Sequence, residues 1–189
     1  MINYKDFLKT PNLITLTRIL LLPVFIWMYF SVGSTPAFFL VAVIAMTDVV
    51  DGYIARKYNM VTELGQLLDP IADKLIQLSV VFCLAIDEVI PIWFLVIVLV
   101  KEVSMVIGGA VLYKKIEVIN QAKWFGKLAT FAFYLVAGAA FFIGKTHPTV
   151  TFWLVCVLTF ILIFAFIRYL IMYIKFFKNK SNETDGKNI

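Results

Sequence analysis

Four aspartates stand in two pairs within DVVDGYIARKYNMVTELGQLLDPIADK, at positions 48, 51, 69 and 73. Residues three or four apart share a helix face. Asp48, Asp51, Gly52, Ala55 and Arg56 therefore form one stripe, and Gly65, Asp69 and Asp73 form a second. The stretch is flanked by long apolar runs. A carboxylate in an apolar membrane interior costs about 3 kcal/mol or more, and several facing one another add mutual repulsion. A hard divalent cation removes both penalties, because such ions take oxygen ligands, and a pair of ions about 4 Å apart suits phosphoryl transfer. Gly52, Ala55 and Gly65 leave room for a ligand to approach, and Arg56 is a natural diphosphate partner.

The elements that must position these groups are membrane helices. The chain has 189 residues, of which 62% are hydrophobic and only 15% charged, and its mean hydropathy is +0.93. Six apolar runs near 12–32, 36–56, 70–87, 90–112, 125–144 and 149–174 approach the length needed to cross a bilayer. They lack the alternation of a membrane β-barrel. The expected fold is all-α, a polytopic membrane protein with six transmembrane helices. Residues 1–11, MINYKDFLKTP, mix apolar and charged side chains as a short interfacial amphipathic helix does. Residues 12–175 form the catalytic domain in this reading. Residues 176–189 form a polar cytoplasmic tail, with SNETDGKNI expected to be disordered. The first run has no cleavage site after it and reads as a retained helix.

Lys5, Lys9, Arg56, Lys57, Lys114, Lys115, Lys123, Lys127, Lys175, Lys178, Lys180 and Lys187 fall on one side of such a bundle. Asp87, Glu88, Lys145 and His147 fall on the other. The positive-inside rule then places both termini and the aspartate stripes on the cytoplasmic side of the membrane. Cys83 and Cys156 lie within apolar runs, where no disulfide framework or metal spacing is formed.

The eight residues Asp48, Asp51, Gly52, Ala55, Arg56, Gly65, Asp69 and Asp73 occupy every fixed place of D-x-x-D-G-x-x-A-R, eight residues, G-x-x-x-D-x-x-x-D. In this the chain resembles the CDP-alcohol phosphatidyltransferase family. PNLITLTRI is similar to that family's first span, with Asn12, Thr15 and Arg18 at the same level. The resemblance implies transfer of a phosphatidyl group from CDP-diacylglycerol to an alcohol, with release of CMP. It implies two Mg²⁺ or Mn²⁺ ions held by Asp48, Asp51, Asp69 and Asp73, with Asp73 also the general base. Gly52, Ala55, Arg56 and Gly65 would flank the cytidine and diphosphate. A homodimer in a bacterial cell membrane is implied too, with lipids and no nucleic acid as partners.

GQLLDPIADK resembles the bacterial members that use glycerol 3-phosphate and make phosphatidylglycerol phosphate. Lys101, Lys127 and Arg168 are the candidate contacts for that acceptor's phosphate. Each has a plainer reading: Lys101 can pair with the adjacent Glu102, Lys127 can anchor at the interface, and Arg168 can snorkel to head groups. Glycerophosphate-using members carry arginine where Lys101 stands, and further cations where this chain has Gly109 and Ala129. The IPIWFLVIVLVKEVSMVIGGAVL segment also looks like cardiolipin synthases of the family, which use phosphatidylglycerol as acceptor. A cation-coupled transporter would also use intramembrane carboxylates, but would carry repeats and broken helices, neither of which is present here.

Overall fold

The computed structural model describes residues 10–57, 63–113 and 124–185, and within these the side chains of 13–47, 68–106, 124–172 and 174. The interfacial segment expected at 1–11 lies almost wholly outside the described residues. The described chain is all helix: α1 Thr10–Ser31, α2 Ser34–Lys57, α3 Glu63–Ile86, α4 Ile92–Tyr113, α5 Trp124–Ile143 and α6 Pro148–Asp185. No strand occurs among the described residues. This is the architecture of a polytopic helical membrane protein. Among the described residues, segments long and apolar enough to cross a bilayer are Leu13–Ser31, Trp124–Ile143 and Pro148–Met172. α3 and α4 are as long but interrupted by charges, Asp69, Asp73 and Lys74 on one and Lys101 and Glu102 on the other.

Proline placement explains the starts. Pro11, Pro36 and Pro148 sit in the first turns of α1, α2 and α6, where a missing N–H costs nothing. Pro70 differs. The helix expected to carry Gly65, Asp69 and Asp73 on one face runs from Glu63, so Pro70 lies inside α3 and deprives the Gln66 carbonyl of its helical donor. A correction concerns the tail: α6 continues through Ser181 to Asp185. No glycine or proline occurs there before Gly186, so nothing in the backbone stops the helix. Residues 186–189 lie outside the described ones.

Short connections force sequential helices to run antiparallel. Gly33, at φ +125°, makes the α1–α2 turn, a conformation that L side chains resist. The short connection from Lys57 to Leu64 predicts that α2 and α3 are direct antiparallel neighbours, and their described parts are not. Among the described residues α1 packs along both of them, while they make no substantial contact with each other.

Packing rather than water exclusion holds such a bundle together in lipid. Phe25, Ile44, Val81, Leu84, Phe94, Val98 and Leu158 are fully buried along its axis. Ala37 and Ala72 allow close approach. At the end away from the aspartates, Tyr29 meets Phe141 and Phe38 meets Phe142 edge to face, and Phe38 and Phe141 pack at a tilt. There Asp87 accepts a 2.9 Å hydrogen bond from Tyr29 Oη and another from Lys145 Nζ, tying α1 to the α3–α4 and α5–α6 turns. Trp27, Trp93 and Trp153 are exposed near that same end, and Trp124 is exposed at the opposite end. Both cysteines are free thiols.

Candidate active site

α3 carries Asp69 and Asp73 one turn apart, and α1 carries Thr15 and Arg18 one turn apart. The four meet. Thr15 Oγ1 donates to Asp69 Oδ1 at 2.7 Å, and Arg18 Nη2 donates to Thr15 Oγ1 at 3.3 Å. The Arg18 guanidinium lies 3.8 Å from Asp69 Oδ1 and 3.7 Å from Asp73 Oδ1. Both distances are ion-pair distances beyond hydrogen-bond range, so Arg18 balances the carboxylates electrostatically. Thr15 and Arg18 are 1% exposed, while the two carboxylates are about half exposed. A buried cation thus backs two acids that open away from it.

Asp73 opens onto a cavity of about 720 Å³ between α3, α4, α5 and α6. Asp73 lies on its wall with Lys74, Lys101, Glu102, Lys127 and Tyr169. Glu102, on α4, is 3% exposed and pairs with both Lys74 of α3 and its neighbour Lys101. A buried carboxylate needs such partners. Lys127, from α5, is exposed and has no ion-pair partner among the described residues. Gly126 lets the Tyr169 hydroxyl approach, since a Cβ there would stand 2.3 Å from it. A smaller apolar groove of about 260 Å³ runs between α4 and α6 and shares Lys101, Leu162 and Phe166 with the main cavity.

Of the residues singled out in the sequence, Asp73, Lys101 and Lys127 come together on this cavity, and Asp69 stands one turn from Asp73. Arg168 does not join them. Its guanidinium lies over the Phe125 ring, 5.7 Å from the centroid, and it is not on the cavity wall. Asp48, Asp51, Gly52, Ala55 and Arg56 lie in the last turns of α2, and Gly65 in the first turn of α3. Their side chains lie outside the described ones. Lys74 and the double pairing of Glu102 were not foreseen. The only cue was the DK dipeptide after the last motif position, since the pair spans 28 residues.

The donor chemistry suits a hard cation: carboxylate oxygens on one helix face, half open, with a hydroxyl orienting one of them. Among the described residues no three metal-binding side chains come together, which leaves Asp69 and Asp73 as the described half of any such set. The fold and this cavity, with Asp73 and Lys74 on α3, Lys101 and Glu102 on α4 and Lys127 on α5, define a class of helical membrane protein with a charged cavity among its helices.

Comparison with known proteins gives this class a family. The profile described as CDP-alcohol phosphatidyltransferase matches residues 8–177, and the chain belongs to that family. It is similar to "Cardiolipin synthase (CMP-forming)" of Streptomyces coelicolor, 31% identical over 130 residues, covering 66% of this chain and 60% of that protein. It is similar to a "Cardiolipin synthase (CMP-forming) / mitochondrial hydrolase fusion protein" of Schizosaccharomyces pombe, 35% identical over 124 residues, 65% of this chain and 20% of that protein. A third relative, "CDP-diacylglycerol--glycerol-3-phosphate 3-phosphatidyltransferase" of Bacillus subtilis, is 35% identical over 144 residues, 68% of this chain and 74% of that protein. The chain thus spans less than two thirds of the first two relatives and about three quarters of the third.

Proposed function

We propose that this protein transfers a phosphatidyl group from CDP-diacylglycerol to glycerol 3-phosphate, giving phosphatidylglycerol phosphate and CMP. The observation that carries this reading is one cavity joining Asp73 to Lys101 and Lys127. A phosphate-bearing alcohol placed there has cations for its phosphate and a carboxylate for its hydroxyl. The name of the Bacillus relative supports the same acceptor.

In this mechanism Asp73 takes the proton of the acceptor hydroxyl. The oxygen forms a bond to the phosphatidyl phosphorus as the diphosphate P–O bond breaks, and the electron pair leaves on CMP. Arg56 binds the diphosphate, and Gly52, Ala55 and Gly65 admit the nucleotide close to the backbone. Thr15 and Arg18 hold Asp69 and Asp73 in place. Two divalent ions, Mg²⁺ or Mn²⁺, held by Asp48, Asp51, Asp69 and Asp73, would supply the charge neutralisation that a diphosphate needs. Lys101 and Lys127 bind the acceptor phosphate, while Arg168, over Phe125, anchors α6 near the head groups. The lysine and arginine asymmetry of the connections supports a site and both termini on the cytoplasmic side. The family resemblance supports a homodimer.

A second reading has its own support. The groove between α4 and α6 leads from the lipid-facing surface to Lys101, as a phosphatidylglycerol acceptor requires, and two relatives carry the name cardiolipin synthase. CMP release by purified protein decides between them. With CDP-diacylglycerol and Mg²⁺, glycerol 3-phosphate should suffice; release with phosphatidylglycerol alone selects the second reading. Chelation by EDTA should stop turnover and Mg²⁺ restore it; full activity in EDTA would overturn the metal assignment.

A further inference from the structure

We infer that Glu102 is a positioning residue for the acceptor phosphate: it holds the Lys74 and Lys101 ammonium groups side by side on the cavity wall, as a paired cationic seat. This deepens the phosphatidyl-transfer reading and rests on it.

The argument starts from charge. Glu102 is 3% exposed, too deep to be solvated, and an unpaired carboxylate there would be strongly unfavourable. One lysine would balance it. Two are present, from different helices, and both pair with it. The trio therefore carries one net positive charge. Neither lysine is sealed in: Lys74 is 28% and Lys101 17% exposed, and both line the same cavity as Asp73. Two ammonium groups alone would repel each other and swing apart on long stems. The carboxylate between them removes that repulsion and fixes their separation. An incoming phosphate then meets two donors already in place, and loses less entropy on binding than it would with two mobile lysines.

A purely structural clasp between α3 and α4 is the competing account. The two differ in kinetics. Full-length Glu102→Gln and Glu102→Asp proteins, purified in detergent, are assayed for CMP release against acceptor and, separately, against CDP-diacylglycerol. A seat for the acceptor predicts that Glu102→Gln raises the acceptor KM by about tenfold or more, with kcat and the CDP-diacylglycerol KM within about threefold. Glu102→Asp, which keeps the charge, recovers most of that loss. An unchanged acceptor KM, or equal damage toward both substrates, overturns the inference.

Should Glu102→Gln not fold, Lys74→Gln replaces it. It removes one cation and should raise the acceptor KM alone; no change there overturns the inference equally. The same assays run with phosphatidylglycerol as acceptor where wild type uses only that. Wild-type acceptor choice therefore tests the proposed reaction, and the variants test the seat.

Discussion

Arg18 of α1 lies 3.7 Å from the Asp73 carboxylate of α3, fully buried beneath an acid that opens into the cavity. The pair links a helix outside the acidic motif to its last position. Arg18→Met should therefore lower CMP release by about 10- to 100-fold, the size of effect seen when groups supporting a metal-binding shell are removed. Arg18→Lys keeps charge but not planar geometry, and should recover only part of it. Initial rates of the two variants at saturating substrates check this; wild-type rates in Arg18→Met would free Arg18 from the site.

Thr15 acts more gently. Thr15→Val keeps the shape and removes the 2.7 Å hydrogen bond to Asp69. The expected outcome is about a tenfold rise in the Mg²⁺ concentration giving half-maximal activity, with little change in kcat at saturating Mg²⁺. A metal titration measures it.

Asp73→Asn should cut turnover by about 10³-fold or more, within the range that a general base contributes. Three aspartates of the motif remain, so CDP-diacylglycerol binding, followed by equilibrium dialysis of a labelled nucleotide lipid, should weaken by less than about tenfold. Retained turnover would remove Asp73 from proton transfer.

Gly126 and Tyr169 make a coupled prediction. Alanine at 126 would place Cβ 2.3 Å from the Tyr169 hydroxyl but 3.3 Å from the next ring atom. Gly126→Ala should lower the melting temperature by several degrees in the wild-type background, and by much less in Tyr169→Phe. A double-mutant cycle reads the coupling directly; equal losses in both backgrounds would show that the hydroxyl is not the obstacle.

The far end supplies a control. Asp87→Ala removes the hydrogen bonds from Tyr29 and Lys145. It should cost about 1–2 kcal/mol of stability, seen as a lower melting temperature, with kcat and both KM values unchanged.

Much of this architecture was legible in the residues themselves. Apolar run length gave six helices, and i, i+4 spacing placed Asp69 and Asp73 on one face, while the family resemblance of PNLITLTRI put Thr15 and Arg18 at their level. What escaped was tertiary. Periodicity says which residues share a helix face, but not which face meets which helix; so α1 between α2 and α3 was not foreseen. Lys101 beside Glu102 was readable as a neighbour pair. Lys74 was not, because its partner is on another helix. The position of Arg168 was not legible for a related reason: its guanidinium lies over the ring of Phe125, on another helix. The end of α6 was misjudged because apolar length marks a membrane span, whereas a helix continues until its backbone is stopped.

The tryptophans at the two rims have one further consequence. Indole rings settle at the boundary between oil and water, so Trp27, Trp93 and Trp153 at one rim and Trp124 at the other moor the bundle at a set height. The reacting groups then keep a constant depth relative to the lipid phosphates, and the thickness of the surrounding bilayer becomes a quantity to which this chain must be matched.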